Sequence, residues 1–250
     1  MAYWQVQRRS GGTDAMTISA CSPQPVHVTL PQCGHCAGLH MPTPLSRWAE
    51  STRWMAAGSA VWWDLGMLQL GTLTITSAVD RSDLLAAPTA AALATWAERD
   101  QVGVAEIDPD LADTAAFCAA YDVPLAASAN CVVLAGKREG EVRMAACVVL
   151  ATTRADVNNV ARRWLDVRKI SFASMDDAVA LTGMEYGGIT PVGLPTEWPI
   201  LIDPRVIDDA AIVIGSGIRG SKLVLPGAAL RDYPGVEVIE GLASPLTPSS

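Results

Sequence analysis

Gly183-Met184-Glu185-Tyr186-Gly187-Gly188-Ile189-Thr190-Pro191-Val192-Gly193-Leu194-Pro195 runs on through Thr196-Glu197-Trp198-Pro199 into Ile200-Leu201-Ile202-Asp203. Four glycines and three prolines fall within the seventeen residues from Gly183 to Pro199. Glycine permits positive φ and lets backbone approach a ligand closely. Proline fixes φ and removes a donor. A loop so composed is shaped in advance and presents bare backbone amides. The short apolar run from Ile200 to Ile202 reads as a buried strand that anchors it. Composition alone favours a well-turned surface loop.

Upstream of this loop, Ser174-Met175-Asp176-Asp177 reads as the capped start of a helix that reaches Thr182. Arg168 to Phe172 before it reads as a strand. Thr153-Arg154-Ala155-Asp156 has the same cap pattern and predicts a helix through Leu165. Asn130 to Ala135 and Glu141 to Leu150 are the clearest strands, with Gly136–Gly140 as their hairpin loop. Further back, Leu70–Ile75 and Val102–Ile107 read as strands and Pro88–Arg99 as a helix. A second helix, Leu111–Tyr121, is predicted to begin at Asp110. Downstream, Ala211–Ile214, Lys222–Leu225 and Val236–Ile239 read as strands and Gly227–Arg231 as a short helix. Ser244 to Ser250 reads as a frayed tail. Strands and helices mix without strict βαβ alternation, which predicts a mixed α/β fold with helices packed on a mixed sheet.

Half of the 250 residues are hydrophobic, enough for a sizeable core. The formal charge of -8 argues against avid nonspecific binding to nucleic acid. It leaves room for a small basic patch that docks one RNA end. Six cysteines are too sparse for a disulfide scaffold. Arg8-Arg9 precedes a polar stretch, Ser10 to Asp14, rather than the apolar run of a secretory signal. Asp64 interrupts the apolar Met55–Met67 region, so no stretch of membrane-spanning length occurs there. A reducing cytoplasm is the expected location.

Residues 1–66 differ in character from the rest. They hold five of the eight tryptophans and all three histidines, His27, His35 and His40. No periodicity runs through Ser10–Pro44, although Ala49–Trp62 suits a short helix. They read as a poorly ordered extension, or as an upstream start-site error with Met67 as the natural first residue. Cys33-Gly34-His35-Cys36 suits a redox dithiol or half of a zinc site. A complete zinc site needs two more ligands, for which Cys21, His27 and His40 are the nearby candidates.

The tract Gly183–Pro195, with its hydrophobic strand ending in Asp203, resembles the YbaK/ProX family of aminoacyl-tRNA editing domains. That family includes the insertion domain of bacterial prolyl-tRNA synthetases. The resemblance extends over roughly residues 105–242. It implies a partly closed mixed β-sheet flanked by helices, spanning a domain from 67 to 243. It also implies that Gly187 and Pro191 match the Gly-x-x-x-Pro loop bordering the pocket for the aminoacylated 3′ end of tRNA. An aminoacyl-tRNA synthetase is a further candidate partner.

From Met67 onward the chain contains no histidine, so a Ser-His or Cys-His nucleophile is not available there. Cys118, Cys131 and Cys147 sit in apolar runs and read as buried small hydrophobes. Backbone amides, hydroxyls, carboxylates and lysines remain. That set suits ester hydrolysis by positioning, with water as nucleophile and amides holding the developing oxyanion. No cofactor and no metal are expected. The family's lysine at the start of its central strand falls on Asn130, which can donate a hydrogen bond but carries no charge.

The expected catalytic positions are therefore Asn130, Gly187 and Gly188. Thr190, Pro191, Asp203, Gly215 and Gly217 are expected to bind the substrate. Asp203 is read either as a brace for the Gly187–Pro191 loop or as a strand-end cap. Gly215-Ser216-Gly217 lacks the Gly-Lys-Ser/Thr ending of a nucleotide loop and reads as a turn. Arg162, Arg163, Arg168 and Lys169, and separately Arg219 and Lys222, form basic clusters that could meet phosphates. The leading expectation is an aminoacyl-tRNA deacylase. The alternatives are a binding module of the same fold without catalysis, and a redox or zinc protein centred on Cys33 and Cys36.

Overall fold

The computed structural model describes residues 70–246. The expectations for residues 1–66, including the Cys33/Cys36 site, lie outside the described residues. In chain order the elements are β1 (Ile75–Ser77), α1 (Ala87–Thr95), β2 (Gly103–Glu106), α2 (Thr114–Ala120), β3 (Ala129–Arg138) and β4 (Glu141–Leu150). There follow β5 (Thr153–Ala155), α3 (Arg162–Trp164), β6 (Lys169–Phe172), α4 (Met175–Thr182), β7 (Ile200–Ile202) and α5 (Pro204–Ile207). The chain closes with β8 (Ile212–Gly215), β9 (Ser221–Leu225), β10 (Val236–Val238) and β11 (Ala243–Pro245).

The strands form a four-stranded sheet in the order β1-β2-β9-β8, a five-stranded sheet β10-β7-β4-β3-β6 and the pair β11-β5. The first sheet is antiparallel throughout. In the second, β10 and β4 run parallel to β7, while β3 is antiparallel to β4 and β6. This is the mixed α/β architecture expected, with short helices against the sheets and no closed barrel among the described residues.

One contact joins the two large sheets. Ser128, just before β3, forms a parallel bridge with Val213 of β8. Strand β4 occupies one edge of β3 along its whole length. Strand β8 must therefore lie on the other edge, which β6 covers only from Leu134 to Lys137. The two sheets part along β3 between these points, and Asn130 stands in that gap.

Local chemistry explains most element ends. Glu139 and Gly140 take φ of +53° and +89°, the pattern of a two-residue turn whose twist matches its strands. The β3–β4 ladder therefore runs to Arg138↔Glu141, through the expected hairpin loop at Gly136–Gly140. Ser174 caps α4 by accepting from the Asp177 amide at 3.1 Å. Helix α2 starts later than Asp110 predicts. Asp113 is its cap and accepts from the amides of Ala115 and Ala116, while Asp108 caps a separate turn over Pro109–Leu111.

Three readings are corrected by long-range pairing. Thr153 does not start a helix, because Thr153–Ala155 pairs with Ala243–Pro245 as β5. The cap falls instead on Asp156, which accepts from the Asn159 amide at 3.0 Å. For the same reason Ser244 and Pro245 are strand, not tail, and the Leu246 amide donates to the Thr152 carbonyl. Leu70 and Leu73 lie in a buried turn that the Thr72 amide ties to the Tyr121 carbonyl, so β1 begins only at Ile75.

The main core packs Val102, Val104, Leu223, Leu225, Ile212 and Ile214 against Val148, Ile200 and Ile202. Each large apolar side chain so buried contributes about 1.5–3 kcal/mol. On another side Phe117 and Cys118 of α2 cover Ala105, Val213 and Val224. Cys147 is wholly buried, and burial pushes its thiol up to about 12. Among the described residues no helix is long and apolar enough to cross a membrane.

Candidate functional site

The site grows from the turn after β8. Gly215 ends that strand and pairs with Lys222 of β9, which pairs in turn with Ala105 of β2. Two residues beyond the Ser128–Val213 bridge, in the same direction on both strands, stand Asn130 and Gly215. Asn130, Gly215 and Lys222 thus stand in a row on three strands, with Gly215 and Lys222 paired and Asn130 across the gap from them.

The glycine loop lies on this row. A Cβ built on Gly215 would sit 2.2 Å from the Gly188 carbonyl oxygen and 2.5 Å from that of Ile189. Only a residue without a side chain lets the two backbones approach so closely. The contact is reinforced by hydrogen bonds between loop and turn. The Gly217 amide donates to the Gly188 carbonyl at 2.7 Å, and the Glu185 amide to the Gly217 carbonyl at 2.8 Å. The Arg219 amide donates to Glu185 Oε2 at 2.6 Å. Gly187 holds φ at +91° and is exposed.

Arg219 extends the frame toward α2. Its guanidinium donates to the Tyr186 carbonyl at 3.4 Å and to the Pro109 carbonyl at 2.7 Å. Three residues after Pro109, the Ala112 carbonyl accepts from Lys222 Nζ at 3.0 Å. Two residues further, Thr114 Oγ1 donates to Asn130 Oδ1 at 2.7 Å. The start of α2 therefore meets Arg219, Lys222 and Asn130 in turn.

Several expectations need restating against this geometry. The Gly188 amide is not free for an oxyanion, since it closes the 185–188 turn by donating to the Glu185 carbonyl at 2.9 Å. The Gly217 amide is likewise engaged. These two glycines shape the wall, and Gly187 is the loop glycine at the surface. Thr190 and Pro191 are buried beneath the loop, so they hold its underside. Of the two roles for Asp203, the structure has the strand-end cap. Asp203 is 1% exposed, accepts from the Arg205 amide and guanidinium, and accepts from the Ala243 amide. Burial alone would raise its pKa, but these partners outweigh it and hold the carboxyl below its ordinary value.

Beside Gly217 an open cleft of about 480 Å³ lies between Ala86, Val179, Met184, Glu185 and Ile218. Its walls are mostly apolar. Among the described residues no group of three or more His, Cys, Asp and Glu is placed to hold a metal ion.

The far end of the loop is held by Tyr233, whose hydroxyl accepts from the Gly193 amide at 2.9 Å while its ring meets Trp96 edge-on at 5.0 Å. Tyr233→Phe keeps the ring and leaves the amide unpaired. A loss of about 1–2 kcal/mol is expected, read as a lower Tm and faster hydrogen exchange at Gly193.

The family model of the aminoacyl-tRNA editing domain matches residues 108–233. The chain belongs to the aminoacyl-tRNA editing domain family. Asn130, Gly215, Lys222 and the covering loop lie inside that matched segment, while Ala105, which pairs with Lys222, lies just before it. Solved structures share the fold. A candidate trans-editing enzyme for prolyl tRNA synthetase superposes with a TM-score of 0.53 at 20% identity, over 62% of this chain and 94% of that one. The hypothetical protein APE2540 gives a TM-score of 0.50 at 18% identity, over 56% of this chain and 90% of its own. A scaffold protein from computational epitope backbone grafting gives 0.53 at 21%, over 62% and 95%. In this editing domain Lys222, expected with Arg219 in a basic cluster that could meet phosphates, is buried in the row. Its place between Ser221 and Leu223 in an apolar strand was the available signal.

Proposed function

We propose that the protein is an aminoacyl-tRNA deacylase acting in trans, which hydrolyses the ester of a mischarged tRNA. The observation that carries this reading is the coincidence of the family match with the row. Asn130, Gly187–Pro191 and Gly215–Lys222 all fall within residues 108–233. Residues 67–243 would be the working domain, and a cytoplasmic location goes with this role.

In this reading the 3′ end enters between the Gly187 turn and the gap on β3. The apolar cleft beside Gly217 takes the amino-acid side chain. Glu185, on its rim, faces the substrate's α-ammonium. Water attacks an ester that is already labile, so orientation supplies much of the rate. The charge of -8 keeps RNA affinity modest and local. Among the described residues Arg219 is the cation that donates to the loop, at the Tyr186 carbonyl.

A second reading keeps the binding and drops the chemistry, because Asn130 carries no charge where the family's lysine stands. Incubation with a panel of mischarged tRNAs separates the two. Release of one amino acid from its noncognate tRNA is the expected result. Saturable binding with no release across the panel would favour the second reading.

A further inference from the structure

Lys222 is 7% exposed. Its ammonium has three donors. One of them goes to the Ala112 carbonyl. Among the described residues no carboxylate pairs with it within ion-pair distance. The nearest acid on the facing helix, Asp113, spends its side chain capping α2. Below the ammonium lies the Phe117 ring, with its centroid 5.4 Å away. A buried cation without a counter-charge is expensive, and methionine would fill the same space. The burden falls beside Gly215, the residue on which the glycine loop packs.

We propose that Lys222 is a catalytic residue whose ammonium receives the carbonyl oxygen of the aminoacyl ester, supplying the charge that Asn130 lacks. This rests on the deacylase reading and names the group that meets the reacting atoms. In the step, the oxygen of water bonds to the carbonyl carbon and the carbonyl pair moves onto oxygen beside Lys222. The pair then returns as the bond to the ribose oxygen breaks. That oxygen takes up a proton from the attacking water. Free amino acid and a ribose hydroxyl leave. Burial lowers the Lys222 pKa to about 8. Cys118 and Asp113 oppose that shift and Arg219 adds to it. The ammonium is therefore the main form at neutral pH, yet desolvated, where its field acts most strongly on a nearby oxyanion.

The chain has only three lysines, Lys137, Lys169 and Lys222, so the ε-carbons of 13C-lysine-labelled full-length protein give a simple spectrum. The probe is 3′-glycylamino-3′-deoxyadenosine, an amide that cannot hydrolyse readily and has no side chain to clash. The Lys222 signal is expected to move on saturation. Lys222→Met is expected to melt within a few degrees of wild type, since it removes an unpaired buried charge. It is also expected to lose on the order of 100-fold in single-turnover deacylation. A lysine needed only to hold α2 would give the opposite pattern, a lower Tm with the rate retained. Wild-type turnover with a Lys222 signal that stays fixed, or a Lys222→Met rate equal to wild type, overturns the assignment. If Lys222→Met fails to fold, the labelled wild type decides alone. If no tRNA in the panel is deacylated, the catalytic role falls with the deacylase reading; a Lys222 signal that still moves then marks a carbonyl contact of the binding module, and one that stays fixed leaves neither.

Discussion

Gly215→Ala is expected to cost at least 100-fold in deacylation and to lower the Tm. The new methyl would stand 2.2 Å from the Gly188 carbonyl oxygen and 2.5 Å from that of Ile189. Both are main-chain atoms, so no rotamer change relieves the contact. The loop must lift or β8 must bend. Overpacking of this kind costs about 1–3 kcal/mol. For a domain of this size that is roughly 2–10 °C. The effect on rate follows from displacement rather than from lost chemistry. Lifting the loop by about 1 Å would misplace Gly187 relative to Asn130 and Lys222, and misplacement of that order costs about 100-fold. Single-turnover rates on the tRNA that wild type edits, with thermal melts, test this directly. A Gly215→Ala protein with wild-type rate would mean the loop is not the wall of the reacting centre.

Asp203→Ala is expected to give the largest loss of stability, with little direct effect on the chemistry. Its carboxylate caps α5 through the Arg205 amide, holds the Arg205 guanidinium at 2.7 and 2.9 Å, and anchors the Ala243 amide at 3.0 Å. Losing a cap costs about 1 kcal/mol, and breaking a buried pair about 3–5. The Arg205 side chain is 39% exposed, so solvent screens part of the pair, and about 2–4 kcal/mol is the expected total. The pH dependence has a fixed sign. The folded carboxyl lies below its ordinary value. Its contribution is thus complete above the unfolded pKa of about 4 and is lost as pH falls through the folded value. Melts at pH 7, 5 and 3 should show wild type and Asp203→Asn converging only at the lowest pH. A gap that stays constant would place the stabilisation elsewhere.

Elements specified by neighbours in sequence were legible. The Ser174 cap and Gly183 end of α4 involve residues within one turn. The β3–β4 hairpin needs only a two-residue turn and two apolar runs. Elements specified across the chain were not. Thr153-Arg154-Ala155-Asp156 has the letters of a capping box, but Ala243–Pro245 pairs with it and makes it a strand. Asp203 shows its partner Arg205 two residues away, whereas Ala243 lies forty residues on. The glycine tract announced a shaped loop, yet its amides could not be assigned without the turn at Ser216–Arg219 that consumes them. Lys222 read as half of a phosphate-facing pair with Arg219, because the carbonyl that holds it is 110 residues earlier.

That separation matters for biogenesis. The bonds from Arg219 to Pro109 and from Lys222 to Ala112 each close a span of 110 residues. Such non-local contacts form late, after the entropy of a long closure has been met. A nascent chain still tethered to the ribosome would carry α2 and the glycine loop before it carried β9. On the deacylase reading proposed above, a chain still lacking β9 could neither grip nor cleave a charged tRNA. Competence would arrive only once β9 has emerged, in a single closing event.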